Sequence, residues 1–80
     1  MMQVIVKFFA SLSEYTGFEE TTVDVNSGAT VQDAWNLATR SLAVPVNTLC
    51  AVNMAYASLD SSIQDGDEVA FFPPVTGGCS

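Results

Sequence analysis

Residues 30–42 read TVQDAWNLATRSL, and their spacing decides the fold. Val31, Ala34, Trp35, Ala38 and Leu42 recur at intervals of three and four, which marks one buried stripe on an amphipathic helix. Thr30 can cap the opening amides, and Asp33 can reach back to complete a short capping box. Asp33 also sits in the first turn, where the helix dipole favours an anion. The following SLAVPV ends the helix, because the ring of Pro45 disfavours helical geometry at Val44. Trp35 on such a stripe is either a ligand platform or the largest packing element of a small core; the second is expected.

Strand-like segments flank this helix on both sides. Upstream, QVIVKFFA (residues 3–10) alternates Val4, Val6 and Phe8 on one face with Ile5, Lys7 and Phe9 on the other. That second face is apolar enough to be either covered or left open. SLSEYTGFEE follows as a short helical turn or loop with Gly17 as its stop, and TTVDV gives a second strand able to form a hairpin with the first. Downstream, TLCAVNMAYA (residues 48–57) reads as one strand, broken or bent around Asn53. Leu59 and Ile63 are expected to tuck into the core, and Asp65, Gly66 and Asp67 to make a tight turn. EVAFF (residues 68–72) closes the pattern with Val69 and Phe71 on one face and Ala70 and Phe72 on the other. The class is therefore α+β, one main helix packed across one mixed sheet, in a single domain spanning residues 1–74.

The composition supports a compact core, with 49% of the 80 residues apolar and 10% aromatic. Nine acids face only Lys7 and Arg40, for a formal net charge of -7. Nucleic-acid binding is excluded as an expectation, since its main energetic term needs cations against phosphates. A partner with a basic surface would be steered in, although the same charge also keeps a small protein in solution. No apolar run is long enough for a membrane span and no leader-like segment precedes the first strand, so no membrane association and a cytoplasmic location are expected. Cys50 lies in an apolar run and Cys79 near the end, which does not suggest a disulfide scaffold. Without histidine or paired cysteines there is no zinc ligand set, and Asp65, Asp67 and Glu68 lack the ligand series of a calcium loop, so no metal site is expected.

The remaining stretch, PPVTGGCS, carries the chemistry. Pro73 and Pro74 stop the last strand and hold its exit extended. Val75 and Thr76 lead to Gly77 and Gly78, whose ordering entropy is high and whose lack of side chains suits passage through a narrow slot. Residues 75–80 thus read as a flexible tail, with a plain disordered end as the alternative.

The run DGDEVAFFPPVTGG (residues 65–78) resembles the carboxyl end of the MoaD/ThiS family of ubiquitin-like sulfur carriers. VKFFASLSEYTG near the start, the helix with Val31 and Leu37, and AVN at residues 51–53 also fall where that family has its elements. The resemblance implies a beta-grasp fold. It also implies a terminal glycine, here Gly78, that an ATP-dependent ubiquitin-activating-like adenylyltransferase adenylates and a sulfur donor converts to a thiocarboxylate. Gly77 would keep the passage narrow. In the molybdopterin branch the carrier is a synthase's small subunit and inserts its tail into the large subunit; other branches serve other sulfur-accepting enzymes. Such a carrier is a cosubstrate with no permanently bound cofactor, and its partners hold most of the catalytic groups. Phe9 and Phe72, with Pro73, Pro74, Val75 and Thr76, are the expected partner contacts, a second core layer being the competing use of the two phenylalanines.

Two features depart from that pattern. Cys79 and Ser80 follow the glycines, so the Gly78 carboxyl is tied up in an amide. The ending resembles that of carriers in siderophore or other secondary pathways, whose terminal dipeptide a JAMM-type protease removes; a persulfide on Cys79 is a further alternative. Position 13, often basic in the molybdopterin branch, is Ser13 followed by Glu14. The functional readings left open are a molybdopterin sulfur carrier, a carrier for another metabolite (thiamine, cysteine or siderophore-type), a ubiquitin-like modifier that forms isopeptide bonds, and a noncatalytic binding domain whose tail is never activated.

Overall fold

The computed structural model describes residues 2–73. The expected boundary after residue 74 and the tail beyond it lie outside the described residues.

Alternating apolar residues form the first strand, β1 (Met2–Phe8), which pairs antiparallel with β2 (Glu20–Val25), Met2 opposite Val25 and Lys7 opposite Glu20. A short helix, α1 (Ser11–Thr16), fills the connection and ends at Gly17, whose φ of 85° supplies the left-handed cap that the sequence placed there. The main helix, α2 (Val31–Thr39), opens with the expected capping box: Asp33 N donates to Thr30 Oγ1 at 3.3 Å, and Thr30 N donates to Asp33 Oδ2 at 3.0 Å. After α2 come β3 (Leu49–Val52), β4 (Ala55–Ala57) and β5 (Glu68–Phe72). The sheet order is β2-β1-β5-β3-β4, with β1 and β5 parallel at the centre and every other pair antiparallel. This is the beta-grasp arrangement.

Helix α2 covers one face of the sheet. Trp35 is fully enclosed there, its ring centroid 5.5 Å from Phe8 and 4.9 Å from Phe71, both edge-on. Phe8 and Phe71 stack on each other at 5.8 Å across the parallel β1–β5 pair. Val4, Val6, Val31 and Val69 complete the centre of this core. Trp35 is thus a packing element. Its indole N–H donates to the Leu42 carbonyl at 2.7 Å, so the ring is buried without an orphaned donor.

Two sequence expectations need correction. The helix stops at Thr39, five residues before Val44, because Arg40 and Ser41 adopt left-handed φ values of 59° and 67°. Leu42 therefore leaves the buried stripe and its side chain is exposed, while its backbone folds over Trp35. Thr39 takes the buried place instead, its hydroxyl donating to the Trp35 carbonyl at 2.7 Å and accepting from Leu42 N at 3.2 Å. Residues 48–57 break at Asn53, one of the two expected outcomes, but they fold back there as a two-residue hairpin instead of bending, with Val52 opposite Ala55 and both Asn53 and Met54 at positive φ (51° and 71°). Those signs define a type I′ turn.

The loop from β4 to β5 is laced back onto the fold. Ile63 is buried and its amide bonds to Ala29, while Ser61 accepts from Val31 N. Asp65 Oδ1 accepts from Gln3 N at 2.9 Å, and Asp67 Oδ2 accepts from Gln64 N at 2.8 Å. The turn carboxylates are thus engaged by backbone amides.

Trp35→Ala is expected to destabilise the domain by about 3–5 kcal/mol, whereas Leu42→Ala costs less than about 1 kcal/mol. Urea unfolding of both variants checks this; equal losses would return Leu42 to the core.

Candidate functional site

Helix α2, with Leu12 of α1, covers one side of the sheet; the other side is open among the described residues. The two-residue period of the strands puts Ile5 and Lys7 of β1, Glu68, Ala70 and Phe72 of β5, Ala51 of β3 and Tyr56 of β4 on this face. Ala51 and Ala70 lie opposite each other in register. Their small side chains form the floor of a shallow hollow of about 340 Å³, with larger residues standing around it.

The upper rim is aromatic. Phe72 meets Phe9 edge-on at 6.1 Å on one side and Tyr56 at 6.0 Å on the other, which makes a continuous row. Phe9 is held by Phe9 N donating to the Phe71 carbonyl at 3.0 Å, which extends the β1–β5 pairing one step past the strand end. The chain then turns at Ala10, whose φ of 54° is costly for a residue with a Cβ. Ser13, at the position where a basic residue is common in the molybdopterin branch, donates its hydroxyl to the Ala10 carbonyl at 2.8 Å and steadies that turn.

Among the described residues one ion pair crosses this face. Lys7 Nζ contacts Glu68 Oε2 between neighbouring parallel strands, both side chains about one third exposed. The hydrogen bond and charge of Glu68 hold the Lys7 ammonium above its ordinary 10.5, with Glu20 adding to the effect and desolvation opposing it. Glu20 and Asp24, opposite Lys7 and Gln3, line the β2 flank of the same face with negative charge. The surface is therefore an apolar hollow with an acidic edge.

Of the sequence-predicted contacts, Phe9 and Phe72 are brought together, and Pro73 follows Phe72 directly and is half-buried. Pro74, Val75, Thr76, Gly77, Gly78, Cys79 and Ser80 lie outside the described residues. Sequence reasoning missed Tyr56, Met54, Ala51 and Ala70 as parts of one surface. The available signal was Asn53, a residue that favours type I′ turns; a hairpin there puts Tyr56 beside Ala51. Cys50 is buried on the helix side, its thiol donating to the Ala57 carbonyl at 3.1 Å and pushed above 9.0 by desolvation. Among the described residues no group of three acidic, histidine or cysteine side chains could hold a metal ion, and no helix is long and apolar enough to cross a membrane.

A beta-grasp domain with an apolar open face, whose last strand is followed in the sequence by PPVTGG, defines a ubiquitin-like carrier or modifier. The ThiS family matches residues 6–78, and the chain belongs to that family. The molybdopterin synthase sulfur carrier subunit of Escherichia coli (strain K12) is 40% identical over 82 residues, covering 91% of this chain and 96% of its own. Small archaeal modifier protein 1 of Haloferax volcanii is 37% identical over 86 residues, covering 90% and 97%. The crystal structure of the H. volcanii small archaeal modifier protein 1 superposes with a TM-score of 0.81 at 31% identity, over 94% of this chain and all of that one. As a member of this family the protein is a sulfur-donating cosubstrate rather than an enzyme in its own right.

The Lys7–Glu68 pair has a pH signature. Because its folded value is raised, the stabilisation from Lys7 is complete below 10.5 and is lost as pH rises through the folded value. An NMR titration of the Lys7 side chain is expected to give a midpoint above 10.5 that falls back towards it in Glu68→Gln. An unchanged midpoint in the variant would remove Glu68 as the cause.

Proposed function

We propose that this chain is the sulfur-carrier subunit of a molybdopterin synthase, reacting at Gly78 after Cys79 and Ser80 have been removed. The likeness to the E. coli carrier over nearly the whole of both chains carries this reading, together with the paired glycines at 77 and 78.

The chemistry follows from a carboxyl group that must first be freed. Hydrolysis of the Gly78–Cys79 amide, the task of a JAMM-type protease, adds water across that bond and releases the Cys-Ser dipeptide. In the activating enzyme, a ubiquitin-activating-like adenylyltransferase, the Gly78 carboxylate attacks the α-phosphate of ATP and pyrophosphate leaves. Hydrosulfide released by a sulfur donor then attacks the acyl carbon, displaces AMP and loses its proton, leaving a thiocarboxylate. Its soft anionic sulfur is presented to an electrophilic pterin precursor in the large synthase subunit. Gly77 and Gly78 keep the end of the arm narrow enough for both active sites.

The open sheet face is the docking surface in this scheme. Strand β5 carries Phe72 on that face and runs directly into Pro73, so a partner gripping the aromatic row also receives the tail. Buried aromatic anchors typically dominate such interfaces. The formal charge of -7 speeds encounter with a basic partner and fixes register more than it adds affinity.

A second reading has its own support: the likeness to the H. volcanii small archaeal modifier protein favours a modifier whose Gly78 ends in an isopeptide bond. Carriers for thiamine, cysteine or siderophore-type pathways start from the same activated carboxyl. Intact mass after incubation in extract of the native cell separates them. Loss of Cys79 and Ser80 followed by exchange of one oxygen for sulfur is expected, and covalent adducts to other proteins would favour the modifier. Deleting Gly78 from the trimmed chain is expected to abolish sulfur loading with unfolding unchanged, and Gly77→Ala to lower loading about tenfold or more. Normal loading in both variants overturns the tail mechanism.

A further inference from the structure

The β3–β4 turn carries a side chain that the fold itself does not use. Asn53 and Met54 form a type I′ turn, which needs positive φ at both positions. Asn53 suits the first. The second strongly favours glycine, yet it holds Met54 at φ 71°, where a Cβ is strained. This strain is not offset by burial, since Met54 is 94% exposed, the largest value among the exposed large hydrophobic residues.

The turn is also clamped. Asn53 Nδ2 donates to Asp67 Oδ1 at 2.9 Å, Glu68 N donates to Asn53 Oδ1 at 3.0 Å, and Asn53 N donates to the Glu68 carbonyl at 2.8 Å. These bonds fix the hairpin tip to the start of β5 and hold Met54 at the border of the hollow, with Tyr56 and Ala51 beyond it. A long, unbranched, polarizable side chain on a fixed backbone is suited to fill an irregular apolar cup.

We infer that Met54 is a partner anchor and specificity determinant of the open face, seated in an apolar pocket of the protein that docks there. The inference rests on reading that face as the docking surface for the large synthase subunit. The partner chemistry follows from the surroundings: the Asp67 carboxylate is held against Asn53 at the turn and the chain carries a formal charge of -7, so the receiving pocket is apolar within and basic at its rim.

Thermal unfolding and binding to the purified large subunit of molybdopterin synthase test this on the full chain. Met54→Gly is expected to raise Tm by about 4 °C or more and to weaken binding about tenfold. Met54→Ala keeps the strained backbone, so it is expected to weaken binding equally without the gain in Tm. Met54→Leu is expected to restore most of the affinity. A wild-type affinity in Met54→Gly overturns the anchor while leaving the proposed function standing. An unchanged Tm in Met54→Gly overturns the strain on which the inference rests, whatever the partner does. Absence of binding by the wild-type chain instead sinks the proposed function, and the anchor with it.

Discussion

The parallel contact between β1 and β5 is the constraint from which the rest of the molecule follows. It joins the first and last strands, with Phe8 opposite Phe71, and so closes a loop of some sixty residues. The entropy of that closure grows only slowly with length, and one aromatic cluster offsets much of it: Trp35 wedges edge-on against both phenylalanines that meet across the pair. Parallel strands run the same way, so β5 ends at the same edge of the sheet where β1 hands over to Phe9 and α1. The chain therefore leaves β5 beside Phe9, and the aromatic row stands where the described residues end at Pro73.

A chain of this length has helix enough for one face of a five-stranded sheet. The uncovered face is left with apolar residues that a second layer would otherwise hide, and its relief is set by side-chain volume. Alanines at 51 and 70 sink the centre, while Phe72, Phe9 and Tyr56 raise one rim. Lys7 and Glu68 neutralise each other across the strands, so the hollow carries little net charge of its own, and the negative potential is displaced to the β2 flank. That separation of apolar centre from charged edge is how interfaces commonly divide adhesion from steering.

Sequence periodicity made the core legible and the working face much less so. Val4, Val6 and Phe8 are buried as their alternation required, and the Thr30–Asp33 capping box is present as written. Periodicity failed where backbone conformation changes without a glycine to announce it. Leu42 fits the helical spacing, but Arg40 and Ser41 turn left-handed before the pattern reaches it. The β3–β4 hairpin was hidden in the same way, because Met54 occupies the place where glycine would have marked the turn. A break at Asn53 was legible but a reversal was not, so the register joining Tyr56 to Ala51 could not be read and the hollow they share stayed invisible.

The two cysteines sharpen the question of where sulfur is carried. Cys50 is sealed on the helix side, donates its proton to a backbone carbonyl and has a raised pKa, so little thiolate forms at neutral pH. A persulfide there would need room that the core does not provide. A thiol carrier also exposes its sulfur to exchange with every other thiol, whereas a thiocarboxylate forms only after a carboxyl group has been activated. In the proposed scheme, cargo on a terminal acyl carbon ties loading to the cleavage of ATP into AMP and pyrophosphate and leaves recognition to the folded domain. On the proposed scheme the chemistry rests on a freed Gly78 carboxyl, and the folded domain contributes recognition.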